Sequence, residues 1–279
     1  MVIRNVVPRS LTRNAVRDIA AFVRADLTDN ATWYGSPPQL DGVVPLHHAQ
    51  SLWDIRQCPE SLPDVQGVLW NSASPRGHEQ VHFSAPSPSR LPGYRLRNDS
   101  LGYRPESFGA GIVAGRCTFD RRSPRWGGFQ CIPEIYRNLE ECLEQNAGRN
   151  DFDFFNPGLN HWKTTQVEGK AGDVILWSTK LPDGSAINLS DRPRIAAFVS
   201  MQPAADNTQI REPMRSWWLT KRAPDYWRGL PGQFDPEPGP PAVLSDLGLK
   251  LIGLAPWCRV LSREDGVEHF GRGDRVGFR

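Results

Sequence analysis

The sequence predicts one domain built mainly of β-strands and loops, with several helices. Three observations predict it. The chain has 279 residues, a comfortable length for a single large strand-rich domain. Glycine and proline number 25 each, natural between strands and disruptive in a helical bundle. Hydrophobic residues make up 39% of the chain and include ten Trp, enough for a sizeable core, which excludes wholesale disorder.

The elements follow in order. Asn14 to Leu27 carries Val16, Ile19, Ala20, Phe22 and Val23 at helical spacing, with Arg and Asp on the other side. A second helix is predicted over Leu46 to Gln57, and a short third near Val65 to Trp70, entered through Pro63. From Asn71 to Gly128 the texture becomes strand and loop, with short apolar pieces at 80–83 and 111–114. Ile132 to Gln145 reads as a helix, with Pro133 in its first turn and Ile135, Leu139, Cys142 and Leu143 on one face. Strands are predicted at Thr164–Val167, Asp173–Trp177 and Arg194–Met201, the last apolar enough to be central in its sheet. An apolar piece from Leu244 to Trp257 follows a proline-rich connection, and 259–279 reads as a surface tail. No repeat or composition break argues for a second domain. The expected layout is one domain over 1–279, with helices in about 1–70 and an extension over about 203–279.

Charge and cysteine content exclude several function classes. Lys plus Arg total 33 against 31 Asp plus Glu, a net +2 that leaves no electrostatic footprint for nucleic acid or an anionic membrane. Five Cys without a C-x-x-C pair argue against a disulfide framework or zinc knuckle. There is no signal-peptide core and no apolar run near the roughly 18 residues of a membrane helix. The expected location is the cytoplasm.

His78-Glu79-Gln80-Val81-His82 matches the H-E-x-x-H zinc-hydrolase motif, which needs both imidazoles on one helix face. Pro75 and Gly77 before it, and Pro86, Pro88 and Pro92 after it, leave no room for that helix. A strand is the better expectation.

Three segments carry a stronger signal: Gly127-Gly128-Phe129-Gln130-Cys131-Ile132-Pro133, then Gly169 through Trp177 (GKAGDVILW), then Ser190-Asp191-Arg192-Pro193-Arg194. In this order they resemble the phytanoyl-CoA dioxygenase family of iron(II)- and 2-oxoglutarate-dependent oxygenases. Trp53 to Gln57 and Leu247 to Trp257 are similar to its small-molecule branch. The resemblance implies a double-stranded β-helix, a jelly-roll barrel with helices outside. It also implies a facial triad of two His and one carboxylate, with open positions for 2-oxoglutarate and oxygen. The family takes two ligands from an H-x-D motif. The third is the His of a phrase like L-P-H-G, about ten residues before the Arg that grips the co-substrate.

This chain departs from that pattern. The phrase reads Leu181-Pro182-Asp183-Gly184, with Asp183 in place of the distal His. The nearest counterpart of H-x-D is Arg97-Asn98-Asp99, and no His occurs between His82 and His161. Arg194 and Gln130 are retained, while Val113-Ala114-Gly115 resembles a V-Q-G segment that has lost its Gln. Asp donors alone would make a harder, more negative site than iron(II) prefers, and Arg97 would add a repelling charge.

The leading expectation is therefore a metal-independent, redox-neutral enzyme of isomerase, lyase or cyclase type, with no cofactor, acting on a small metabolite. The family branch suggests secondary metabolism. Two carboxylates sharing a pocket repel each other, which favours a proton on one and leaves the other as a base. Asp183, Asp99 and Arg97 are the expected catalytic residues, and Arg194, Gln130, His82 and Trp177 the expected substrate contacts. Two alternatives stay open. Arg97, Asp99 and Asp183 could form an inert ion cluster in a non-catalytic scaffold that partners an active relative. Alternatively, Asp99, Asp183 and His82 could rebuild a site for iron(II), with 2-oxoglutarate as co-substrate. The expected partner is a small molecule, without nucleic acid or membrane, and a homo- or hetero-oligomer is left open.

Overall fold

The computed structural model describes residues 1–34, 43–44, 46, 48–58, 73–75, 81–86, 113–118, 128–145, 162–178, 181–186, 188–203, 208–221 and 240–257. In chain order the strands are β1 (Val2–Ile3), β2 (Val43–Val44), β3 (Ala73–Pro75), β4 (Val81–Ser84), β5 (Val113–Thr118), β6 (Phe129–Cys131), β7 (Thr165–Val167), β8 (Asp173–Ser178), β9 (Asp183–Ser185) and β10 (Arg194–Pro203). The helices are α1 (Arg9–Phe22), α2 (Gln50–Arg56), α3 (Pro133–Arg137), α4 (Leu139–Gln145), α5 (Thr208–Thr220) and α6 (Asp246–Leu251).

The strands form two antiparallel sheets. The larger runs β1-β8-β5-β10-β4-β2, with β3 pairing the far end of β10, and the smaller runs β7-β6-β9. β10 is flanked by β4 and β5, so the apolar run that starts at Ile195 lies centrally, as its composition predicts. Alternation assigns its residues to two faces. Ile195 and Ala197, with Val174 and Leu176 of β8 and Phe83 of β4, pack against Ala15 and Ile19 of α1 and Leu52 and Ile55 of α2. Full burial of one such aliphatic side chain stabilises the fold by about 1.5–3 kcal/mol. The opposite face turns to the smaller sheet. There Ile175 and Trp177 of β8 meet Phe129 and Cys131 of β6, with Val2, Val167, Leu181 and Phe198 around them.

The N-terminal segment is tied to β8 by a buried carboxylate. Asp173 accepts hydrogen bonds from Lys170 N at 2.7 Å, Asn5 N at 2.9 Å and the Arg4 guanidinium at 2.7 Å. A third cluster, of Trp53, Met214, Trp217, Ala242 and Ile252, joins α2, α5 and α6. The Arg56 guanidinium lies 4.0 Å from the Trp53 ring centre, and His48 stacks on Trp217 at 5.1 Å. Trp217, 2% exposed, is a core residue.

Several elements differ from the expectation. α1 begins five residues earlier than its apolar stripe, because Pro8 supplies a fixed φ just before the first turn. The helix predicted from Ile132 to Gln145 is two helices, broken at Asn138. α5 carries Pro213 in its interior, a residue that reads as a breaker and concealed the helix. His82 lies on strand β4, which disposes of the zinc-hydrolase helix at that end of the motif. The expected helix near 65–70 and the tail at 259–279 lie outside the described residues. Among the described residues, no helix is long and apolar enough to cross a membrane.

Candidate functional site between the two sheets

Between the end of β8 and the start of β9, Leu181 N donates to Ser178 O at 3.0 Å. Pro182 then offers its carbonyl to Ile132 N at 3.0 Å, which docks β9 onto β6. The register follows: Cys131 opposes Asp183, Gln130 opposes Gly184 and Phe129 opposes Ser185. Residues directly opposed across antiparallel strands share a face. Asp183 therefore stands on the side of the small sheet where Cys131 and Phe129 meet Ile175 and Trp177 of the larger one. It is half-buried. The Cys131 thiol registers this neighbourhood: burial raises its pKa first and the negative charge of Asp183 adds to that, to about 11. The Cys131 thiol packs with Phe129, Ile175 and Trp177, and its raised pKa disfavours the thiolate.

Arg194 opens β10, opposite Ser84 of β4. It is 4% exposed and alternates onto the face of Phe198, so a guanidinium enters the space between the sheets from the larger wall. His82 occupies the register position opposite Ala196, one residue pair further along that face. The connection between Asp183 and Arg194 is a built turn. Asn188 Nδ2 donates to Arg192 O at 2.7 Å, and Asn188 Oδ1 accepts from Ser190 N at 3.0 Å and Ser190 Oγ at 2.6 Å.

The structure therefore brings Asp183, Arg194 and Trp177 to the facing sides of the two sheets, and the backbone register sets His82 of β4 opposite Ala196. Trp177 is committed to packing: its ring centre is 4.5 Å from that of Phe129 and it is 8% exposed. Gln130 is brought to the opposite side of β6 from Asp183, where it is buried and its Nε2 donates to Ser185 O at 3.5 Å. Arg97 and Asp99 lie outside the described residues, in the 85–112 span between β4 and β5. Sequence reasoning passed over Asn188. Its signal was the Asn-x-Ser segment that ends three residues before Pro193.

The donors that an iron triad needs can be tested against the described residues. No group of three His, Cys, Asp or Glu among them could hold a metal ion.

No family model matches the sequence, and no curated protein matches it. Solved structures do match the fold. HygX from Streptomyces hygroscopicus, determined with nickel and 2-oxoglutarate bound, is 16% identical with a TM-score of 0.51, over 76% of this chain and 88% of that one. SnoN, a non-heme alpha ketoglutarate dependent epimerase from nogalamycin biosynthesis, is 10% identical with a TM-score of 0.50, over 88% of this chain and 91% of that one. Two antiparallel sheets, with an acidic residue facing inward from the smaller and an arginine from the larger, are thus set in the fold of the iron- and 2-oxoglutarate-type oxygenases.

Proposed function

We propose that this chain is an oxygenase-fold enzyme that works without iron and moves protons on a small organic molecule in a redox-neutral isomerisation, elimination or ring closure. The observation that carries this reading is the Asp183 carboxylate, in register with Cys131 on the inner side of the small sheet, where the family resemblance calls for an imidazole. The order in which the chain visits the sheets supports a double-stranded β-helix. β4 and β5 lie in the large sheet, β6 and β7 in the small one, and β8, β9 and β10 alternate between them.

In this reading Arg194 draws a carboxylate or carbonyl oxygen of the substrate toward the large sheet. One of Asp183 and Asp99, ionised, takes a proton from the carbon next to the carbonyl. The other, protonated, returns one, so charge and protons balance over the cycle. Arg97 holds the ionised partner, His82 lines the large-sheet side, Trp177 closes the apolar end and Gln130 braces β9 from behind. SnoN shows that this fold carries an epimerase, although one described as non-heme and alpha ketoglutarate dependent. General acid–base groups of this kind contribute about 10²–10⁴-fold in rate.

One observation favours a second reading: HygX holds nickel and 2-oxoglutarate on this fold. There, Asp183 would be one ligand of a rebuilt iron site with donors from outside the described residues, and Arg194 would hold 2-oxoglutarate.

The first experiment is elemental analysis of the full chain purified with iron(II), paired with a 2-oxoglutarate titration. Stoichiometric iron with co-substrate binding would replace the first reading by the second. The companion experiment incubates iron-free protein in D2O with a panel of carbonyl-bearing carboxylic acids and follows deuterium uptake by mass spectrometry. The expected result is uptake without oxygen consumption, abolished in Asp183→Asn while its melting temperature stays within about 2 °C of the parent. Unaltered uptake in Asp183→Asn would remove Asp183 from the mechanism.

A further inference from the structure

The turn between β9 and β10 holds a polar side chain that the acid–base scheme does not use. Asn188 is 1% exposed, and both ends of its amide are engaged by the turn itself, within four residues. Ser190 Oγ has a single proton, which the 2.6 Å contact places on Asn188 Oδ1, so that hydroxyl holds the amide that holds the Arg192 carbonyl. That carbonyl therefore receives the Asn188 amide at 2.7 Å, two residues before the guanidinium-bearing Arg194.

The backbone just beyond Arg192 makes the clamp consequential. Pro193 is buried and its ring fixes φ near −65°. The residue before a proline is itself confined to extended backbone. Between the clamped carbonyl and the Arg194 amide, the ψ of Pro193 is the one soft torsion left, since peptide bonds are planar. A rotation at Arg192 would thus be carried almost rigidly into the start of β10, and Arg194 would leave its register opposite Ser84.

We infer that Asn188 is a positioning residue: by clamping the Arg192 carbonyl it sets where the Arg194 guanidinium enters the space between the sheets. This rests on the proposed ligand role of Arg194 only for its effect on binding, not for its effect on geometry. Asn188 touches neither substrate nor reacting atoms in this scheme. Its side chain acts through two residues of backbone.

The test has two arms on the full chain. In the first, the Nε–H resonance of Arg194, assigned by its loss in Arg194→Lys, is followed in Asn188→Asp, which deletes the Nδ2 donor and keeps the acceptors for Ser190. The expected result is a displaced resonance whose hydrogen exchange is about tenfold faster. In Asp26→Asn, a change in an exposed turn elsewhere, it should not move. A folded Asn188→Asp protein with an unmoved Arg194 resonance would overturn the inference, whatever its melting temperature. Should Asn188→Asp not fold, Ser190→Ala removes the hydroxyl that holds Asn188 Oδ1 and should move the same resonance less but in the same direction. No movement there would be equally decisive. In the second arm, 2-oxoglutarate serves as the dicarboxylate probe, and its Kd should rise about tenfold in Asn188→Asp. If the parent protein does not bind the probe, the ligand role of Arg194 fails, while the resonance still decides the role of Asn188.

Discussion

Replacing Asp173 by alanine should cost about 3 kcal/mol of folding stability. The figure reflects its three partners. Lys170 N and Asn5 N each donate to the carboxylate, at 2.7 and 2.9 Å, and the side chain is 3% exposed. Depriving a part-buried N–H of a charged, buried acceptor costs about 1–2 kcal/mol, so the two backbone donors account for most of the loss. The Arg4 side chain is 56% exposed, and its ion pair is worth at most about 0.5 kcal/mol after solvent screening. For a chain of this size the total corresponds to a melting point lower by about 9 °C. Asp173→Asn, which keeps a neutral acceptor, should cost roughly half as much, and Arg4→Ala less than about 1 kcal/mol.

Thermal denaturation followed by far-UV circular dichroism measures all three. A loss below about 1 kcal/mol for Asp173→Ala would refute the reasoning. Equal losses for Arg4→Ala and Asp173→Ala would refute it too, since they would move the weight from the backbone donors to the ion pair. The acid limb adds an independent check. Burial pushes the Asp173 carboxyl up, but the Lys170 and Asn5 amides and the Arg4 guanidinium outweigh it and hold its pKa below the ordinary 3.8. A carboxyl depressed in the folded state contributes stability above its unfolded pKa and loses it as pH falls through the folded one. The stability gap between the parent and Asp173→Asn should therefore be constant near neutrality and shrink below about pH 4.

Two further outcomes are expected. Gly172→Ala should destabilise by about 2–3 kcal/mol, because φ is +90° and the new Cβ would lie 2.6 Å from Val7 O; amide exchange at Val6 and Val7, which both donate to Gly172 O, should rise with it. Cys131, with its thiol pKa near 11, should resist iodoacetamide at pH 8 in the folded protein, as peptide mapping would show, and Asp183→Asn should make it more reactive by removing a charge that disfavours the thiolate.

Much of the fold was legible in the residues. α1, α2, β8 and β10 each carry an apolar pattern strong enough to declare its own element, and the central place of β10 follows from its being apolar on both faces. The three motif segments pointed to the oxygenase fold. Asp183 and Arg194 were legible for the same reason, as carboxylate and guanidinium at recognisable places in those segments.

The tertiary structure decided the rest. β9 is Asp-Gly-Ser, three residues with no hydrophobic period, and it is a strand because β6 offers it a ladder. That pairing joins Cys131 to Asp183 across 52 positions of sequence and turns Gln130 to the other side. Asp173 likewise finds Arg4 at a separation of 169 residues. Register inverts every side chain with a slip of one residue, and it is set by hydrogen bonds between strands remote in sequence. Local patterns declare which segments become strands, but only closure of the two sheets determines which residues face each other.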